Sequence, residues 1–156
     1  MIRWQTTHMV TGNIVNIFED KGVVNSLSWH IVDDNQKRKY IGWTQVLKNC
    51  KEIDGIKAGN NSIYSLEKIN IDNEYRKKGF SKLIIAYIVL ALLKRETEDF
   101  YVTWRDTSNI RGVYNTIIKL CGGIQKDKQV ILTFYGHERE ADIHTLINFI
   151  KNLSTR

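Results

Sequence analysis

The residues with the most chemistry to offer lie between Arg76 and Lys82, where the chain reads RKKGFSK. Arg76, Lys77, Lys78 and Lys82 gather around Gly79, just ahead of an unbroken apolar run from Leu83 to Leu93. Positive charge at that place suits an anion. The first backbone N–H groups of a helix have no carbonyl partner within it, and the aligned peptide dipoles add partial positive charge there. A glycine lets a phosphate approach the backbone closely, and several full charges suit a diphosphate with its many oxygens. A solvated helix entrance would account for the lysines alone; the glycine and the strand-like segment before it favour a ligand. The pattern is neither a P-loop, since no G-K-[ST] closes it, nor G-x-G-x-x-G.

Other reactive residues point to less. HEREA, residues 137–141, fails the H-E-x-x-H zinc pattern because Ala141 stands at the second His position, and His8, His30 and His144 show no ligand spacing. No metal is expected. Cys121 closes an apolar segment beside Gly122 and reads as a buried structural thiol. With Cys50 it makes two cysteines and no C-x-x-C pair, and the N-terminus has no apolar signal core, so a reducing cytoplasm is the expected location.

The elements that must position the basic loop follow from periodicity. SIYSLEKINI, residues 62–71, alternates as a strand with Ile63, Ser65, Glu67 and Ile69 on one face. After the loop comes a helix apolar on every side, ending at Lys94 and Arg95, whose charges suit the negative end of the dipole. DFYVTW (99–104) is a strand, NIRGVYNTIIKLCGG (109–123) a helix closed by two glycines, QVILTFYG (129–136) a strand and READIHTLINFIKNL an amphipathic helix. Upstream, VVNSLSWHIV (23–32) and KYIGWTQVL (39–47) flank a polar turn and read as an antiparallel hairpin. IRWQTTHMV reads as a strand, NIVNIFED as a short helix ending before Gly22, and KEIDGIKAGNNS (51–62) as a loop joining two elements of one sheet.

At 156 residues, 42% hydrophobic and 26% charged, the chain fits one domain spanning 1–156 with a single core. The apolar run is far short of the roughly 20 residues of a membrane-spanning helix. A net charge of +6 favours an anionic partner without separating nucleic acid, acidic protein and phosphorylated cofactor.

LEKINIDNEYRKKGFSKLI resembles the acetyl-CoA signature of the GCN5-related N-acetyltransferase (GNAT) superfamily: an alternating strand, a polar turn, then R/Q-x-x-G-x-G/A opening a helix. Arg76, Gly79 and Ser81 take the three signature positions, with Ser81 in place of the usual Gly or Ala. The resemblance implies an α/β fold with a mixed, mostly antiparallel central sheet flanked by helices. It also implies a splayed cofactor cleft between the family's fourth and fifth strands, here 62–71 and 99–104. It implies acetyl-CoA held by backbone amides across Lys77, Lys78, Gly79, Phe80, Ser81 and Lys82, and along the strand at Ile69, Asn70 and Ile71. The family's N-x-x-A-x-x-L-Y pattern matches Asn109, as a partner of the pantetheine, and Gly112 in the small-residue slot. The family's tyrosine position falls on Thr116, and Tyr114, two residues earlier, is the nearby candidate to protonate the leaving thiolate. Glu67, on the cofactor strand and sharing a face with Ser65, is the candidate base, against a plain surface pairing with Lys68.

The reaction so implied is transfer of an acetyl group from acetyl-CoA to a primary amine on a protein, an RNA-linked group or a small molecule. Two other classes stay open: a GNAT-fold protein that binds a macromolecular partner without turnover, and a basic nucleic-acid-binding protein. Trp29, Trp43 and Trp104 line either an acceptor pocket or the core.

Overall fold

The computed structural model describes residues 3–8, 13–21, 26–33, 39–49, 52–53, 56–57, 61–76, 79–105, 124–126 and 129–154. Among the described residues, eight strands form one sheet in the order β1 (Arg3–His8), β2 (Asn13–Lys21), β3 (Ser26–Asp33), β4 (Lys39–Asn49), β7 (Ser62–Ile71), β8 (Phe100–Arg105), β10 (Gln129–Phe134), β9 (Ile124–Lys126). Every neighbouring pair is antiparallel except β7 and β8. A parallel pair needs a crossover, and α1 (Phe80–Arg95) supplies it. The loop between β4 and β7 joins sheet neighbours, as its sequence suggested, and carries a small hairpin of β5 (Glu52–Ile53) and β6 (Ile56–Lys57).

The segment NIVNIFED is strand, not helix. β2 runs from Asn13 to Lys21 and pairs on both sides, with β1 and with β3. Ile14, Val15 and Ile17 are β-branched, and Ile17 is fully buried; pairing along both edges of the segment outweighs a weak local helix signal. β9 was also not anticipated: its three residues carry too little pattern, and only the hairpin with β10 makes them a strand.

The apolar run behaves as its composition demands. Every residue from Leu83 to Leu93 is buried, so α1 is wrapped on all sides rather than lying on a surface. α1 packs on β3, β7 and α2 (Arg139–Ser154), which turns Leu146, Ile150 and Leu153 into the same core. The start of α2 also closes the end of α1: Arg139 Nε donates to the Leu93 carbonyl at 2.7 Å and one Nη to the Lys94 carbonyl at 3.3 Å. A helix end leaves carbonyls without partners, and a guanidinium answers both their hydrogen bonds and the dipole's negative end.

Candidate active site

The parallel register of β7 and β8 runs from Ser62↔Phe100 to Leu66↔Trp104 and stops, while β7 continues to Ile71. Beyond Leu66 β7 has no strand partner on that side among the described residues, since β8 itself ends at Arg105; this is the stretch of β7 along which the cleft between segments 62–71 and 99–104 was expected. The strands are seventh and eighth in this chain because β2, read from sequence as a helix, and the small β5–β6 hairpin add three strands ahead of them. At the same point β7 slips against its other neighbour. Leu66 lies opposite Val46 and Lys68 opposite Gln45, so Glu67 is the extra residue of a bulge. Bulges bend a strand and re-aim a side chain. Glu67 is exposed there, and Ser65 Oγ donates to its Oε1 at 3.0 Å.

The last residues of β7 show which backbone groups turn to the gap. The Asp72 N–H donates to the Ile41 carbonyl at 2.8 Å, and the Asn70 carbonyl lies so close to Gly42 that a Cβ on that glycine would sit 2.5 Å from it. Asn70 and Asp72 therefore direct their polar groups at β4. Antiparallel pairing alternates, so Ile69 and Ile71 direct theirs away from β4, to the side on which β8 pairs with the earlier part of β7. The Ile71 carbonyl accepts from Arg76 Nε at 2.9 Å, on that same side. Ile71 is buried, Ile69 half-buried and Asn70 exposed.

A 3-10 turn, Asn73–Tyr75, then bends the chain away, with the Asp72 side chain accepting from the Asn73 N–H at 3.1 Å. Tyr75 and Phe80 are buried edge to face, their ring centroids 5.6 Å apart, and pin both ends of the basic loop to the core. Between them Gly79 has φ 88° and ψ 5°, the left-handed region. The first α-helical bond of α1 is Leu83 N–H to the Gly79 carbonyl at 3.1 Å, so the amides of Ser81 and Lys82 have no carbonyl within the helix to meet. Both residues are half-buried; Phe80 offers only backbone, since its ring is in the core.

Lys77, Lys78, Asn109 and Tyr114 lie outside the described residues, as does the whole helix expected over 109–123. Trp104 is 2% exposed and belongs to the core, Trp43 is half-buried, and the side chain of Trp29 is outside the described set. Among the described residues no group of His, Cys, Asp and Glu is arranged to hold a metal, and no helix is long and apolar enough to cross a membrane. Three site features were absent from the sequence reading. Gly42 had no local signal, because its role depends on β7 across the sheet. The bulge depends on register with β4. Arg76 was read as a cation and as the first signature position, and what the sequence did not show is that the loop's return toward β7 gives its Nε the Ile71 carbonyl to hold.

No family model and no curated protein sequence matches the chain. Solved structures do. The KacTA–DNA complex aligns with a TM-score of 0.55 at 14% identity, over 78% of this chain and 74% of that one. A mutant of the AtaT toxin bound to the C-terminus of the antitoxin AtaR and acetyl-CoA aligns with 0.50 at 14%, over 74% and 71%. Arabidopsis thaliana NAA60 in complex with a bisubstrate analogue gives 0.50 at 16%, over 74% and 78%. These are GNAT-fold acetyltransferases. At such identities the likeness is one of fold, and the chain has the GNAT fold.

Proposed function

We propose that this chain is an acetyl-CoA-dependent N-acetyltransferase that passes the acetyl group directly to a primary amine. The observation that carries the proposal is the extension of β7 past its last register pair with β8, Leu66↔Trp104, with an exposed carboxylate next to that pair and a left-handed glycine opening a helix beyond the end of β7. The presence of acetyl-CoA in the AtaT complex of the same fold supports the choice of donor.

Acetyl-CoA supplies an activated acetyl thioester. The Ile69 backbone and the Ile71 N–H, both turned away from β4, offer a strand edge on which an extended pantetheine arm pairs as an added strand, while the Ile71 carbonyl is held by Arg76. Asn109 is the proposed side-chain partner of that arm. The amides from Lys77 to Lys82, with the cations of Arg76, Lys77, Lys78 and Lys82, receive the pyrophosphate at the start of α1. An amine of pKa near 10 arrives protonated, so a base is needed before it can attack; Glu67 takes that proton through Oε2 or a bridging water. The Ile71 N–H, turned to the gap, donates to the thioester oxygen as negative charge grows on it. Tyr114 returns a proton to the departing thiolate.

Release of free thiol from acetyl-CoA across a panel of primary amines, measured beside acetyl-CoA binding by calorimetry, tests this. Turnover is expected with at least one class of amine. Glu67→Gln should lower kcat by about 100-fold or more while leaving acetyl-CoA affinity unchanged. Binding without turnover on any amine would favour a partner-binding protein, and a Gln variant as fast as wild type would remove Glu67 from the role.

A further inference from the structure

Glu67 is exposed and is the extra residue of the bulge, one residue past the last register pair of β7 with β8. A glutamate so placed has three torsions to settle and little packing to settle them. Ser65 is in the opposite condition. It lies in register with Leu47 on β4 and with Thr103 on β8, inside the part of the sheet where three strands are paired. Its Oγ reaches Glu67 Oε1 at 3.0 Å. An ionised carboxylate accepts through both oxygens, so a bond to Oε1 leaves Oε2 available to receive a proton.

We infer that Ser65 is a positioning residue: it ties the base at the mouth of the gap to the last rigidly paired segment of β7. The inference rests on the reading of Glu67 as the base. The bulge is what makes such a tie necessary, because the residue that must aim into the gap is also the one whose own backbone register has slipped. The register neighbours of Glu67 on β4, Gln45 and Val46, carry no charge, and Trp104 closes the register on β8. Lys68 and Arg105 are the charged residues next along the two strands, and they are retained in every variant below.

The test compares Ser65→Ala with Ser65→Thr, which keeps the hydroxyl. In the free protein, three-bond NMR couplings of the Glu67 methylene group should report one χ1 rotamer in wild type and in S65T, and averaging over rotamers in S65A. With the amine most active on wild type, S65A should lower kcat about 10-fold with KM for acetyl-CoA unchanged, and S65T should recover most of the loss. In a Glu67→Gln background S65A should cost nothing further, since the two residues act as one unit. Unchanged couplings in S65A, wild-type kcat in S65A, or an equal additional loss in the Glu67→Gln background would each overturn the inference. Absence of turnover by wild type on every amine overturns the base role and this inference together, whereas an active wild type with an indifferent S65A overturns only the part assigned to Ser65.

Discussion

Gly79 combines two requirements that the sequence showed separately. Its φ of 88° is a conformation that costs a residue with a Cβ about 1–2 kcal/mol, and its place ahead of Ser81 and Lys82 puts it where a phosphate would come nearest the backbone. The contiguity of RKKGFSK made this much readable, because charge, glycine and helix start all fall within one turn of chain. Asp142 shows the reverse, a residue whose condition only the fold reveals. Burial, and behind it the charge of Glu138, holds its carboxyl above the usual aspartate value. Its place in the first turn of α2 favours the charged form, but desolvation outweighs that. A group with a raised folded-state pKa lends stability that is fully present below its unfolded pKa and is lost as pH rises through the folded value. Asp142→Asn should therefore raise the melting temperature at neutral pH, and the gain should vanish as pH falls below about 4, where the native carboxyl is neutral. The effect should stay under about 1 kcal/mol, because the group is only half-buried and solvent screens much of its cost. Thermal melts across the acid range check both sign and size.

At the scale of elements, β7 depends on β4 as much as on its own sequence. A Cβ at Gly42 would lie 2.5 Å from the Asn70 carbonyl and 2.6 Å from Ile71 Cδ1, so the end of β7 lies against a gap that only glycine leaves. Gly42→Ala should cost about 1–3 kcal/mol of stability and weaken acetyl-CoA binding as well, since the displaced segment is the proposed cofactor strand. Gly136→Ala is the matched control: its Cβ would meet the Thr97 carbonyl at 2.9 Å, away from β7, so stability should fall while affinity holds. Denaturant titration and calorimetry on the two variants separate these outcomes. The same dependence explains what could and could not be read from sequence. β3, β4, β7, β8, β10 and both described helices carry strong period or β-branched content and were legible. β2 was not, because Asn16, Glu19 and Asp20 interrupt its apolar pattern and its strand state comes from pairing with both neighbours. The cap on α1 was half legible: Lys94 and Arg95 stand in its last turn, yet Arg139 of α2 is the residue that meets the Leu93 and Lys94 carbonyls.

At the scale of the molecule, the crossover through the buried α1 gives the sheet one parallel pair among antiparallel ones, and β7 runs on past the end of that pairing. The fold class followed from the order of elements and the loop motif. The strands on either side of the expected cleft were readable, but the last register pair of β7 and β8, Leu66↔Trp104, was not, because how far two strands stay paired is encoded by no local pattern. The central claim is that the opening and the helix start beyond it receive the two ends of one ligand, the acyl arm and its diphosphate. Calorimetric titration of acetyl-CoA into wild type and Gly79→Glu, each shown folded by circular dichroism, tests it most directly. Saturable binding by wild type and none by the folded variant, which sets bulk and negative charge where the phosphates should rest, is the predicted result. Equal affinity in the two proteins would contradict it.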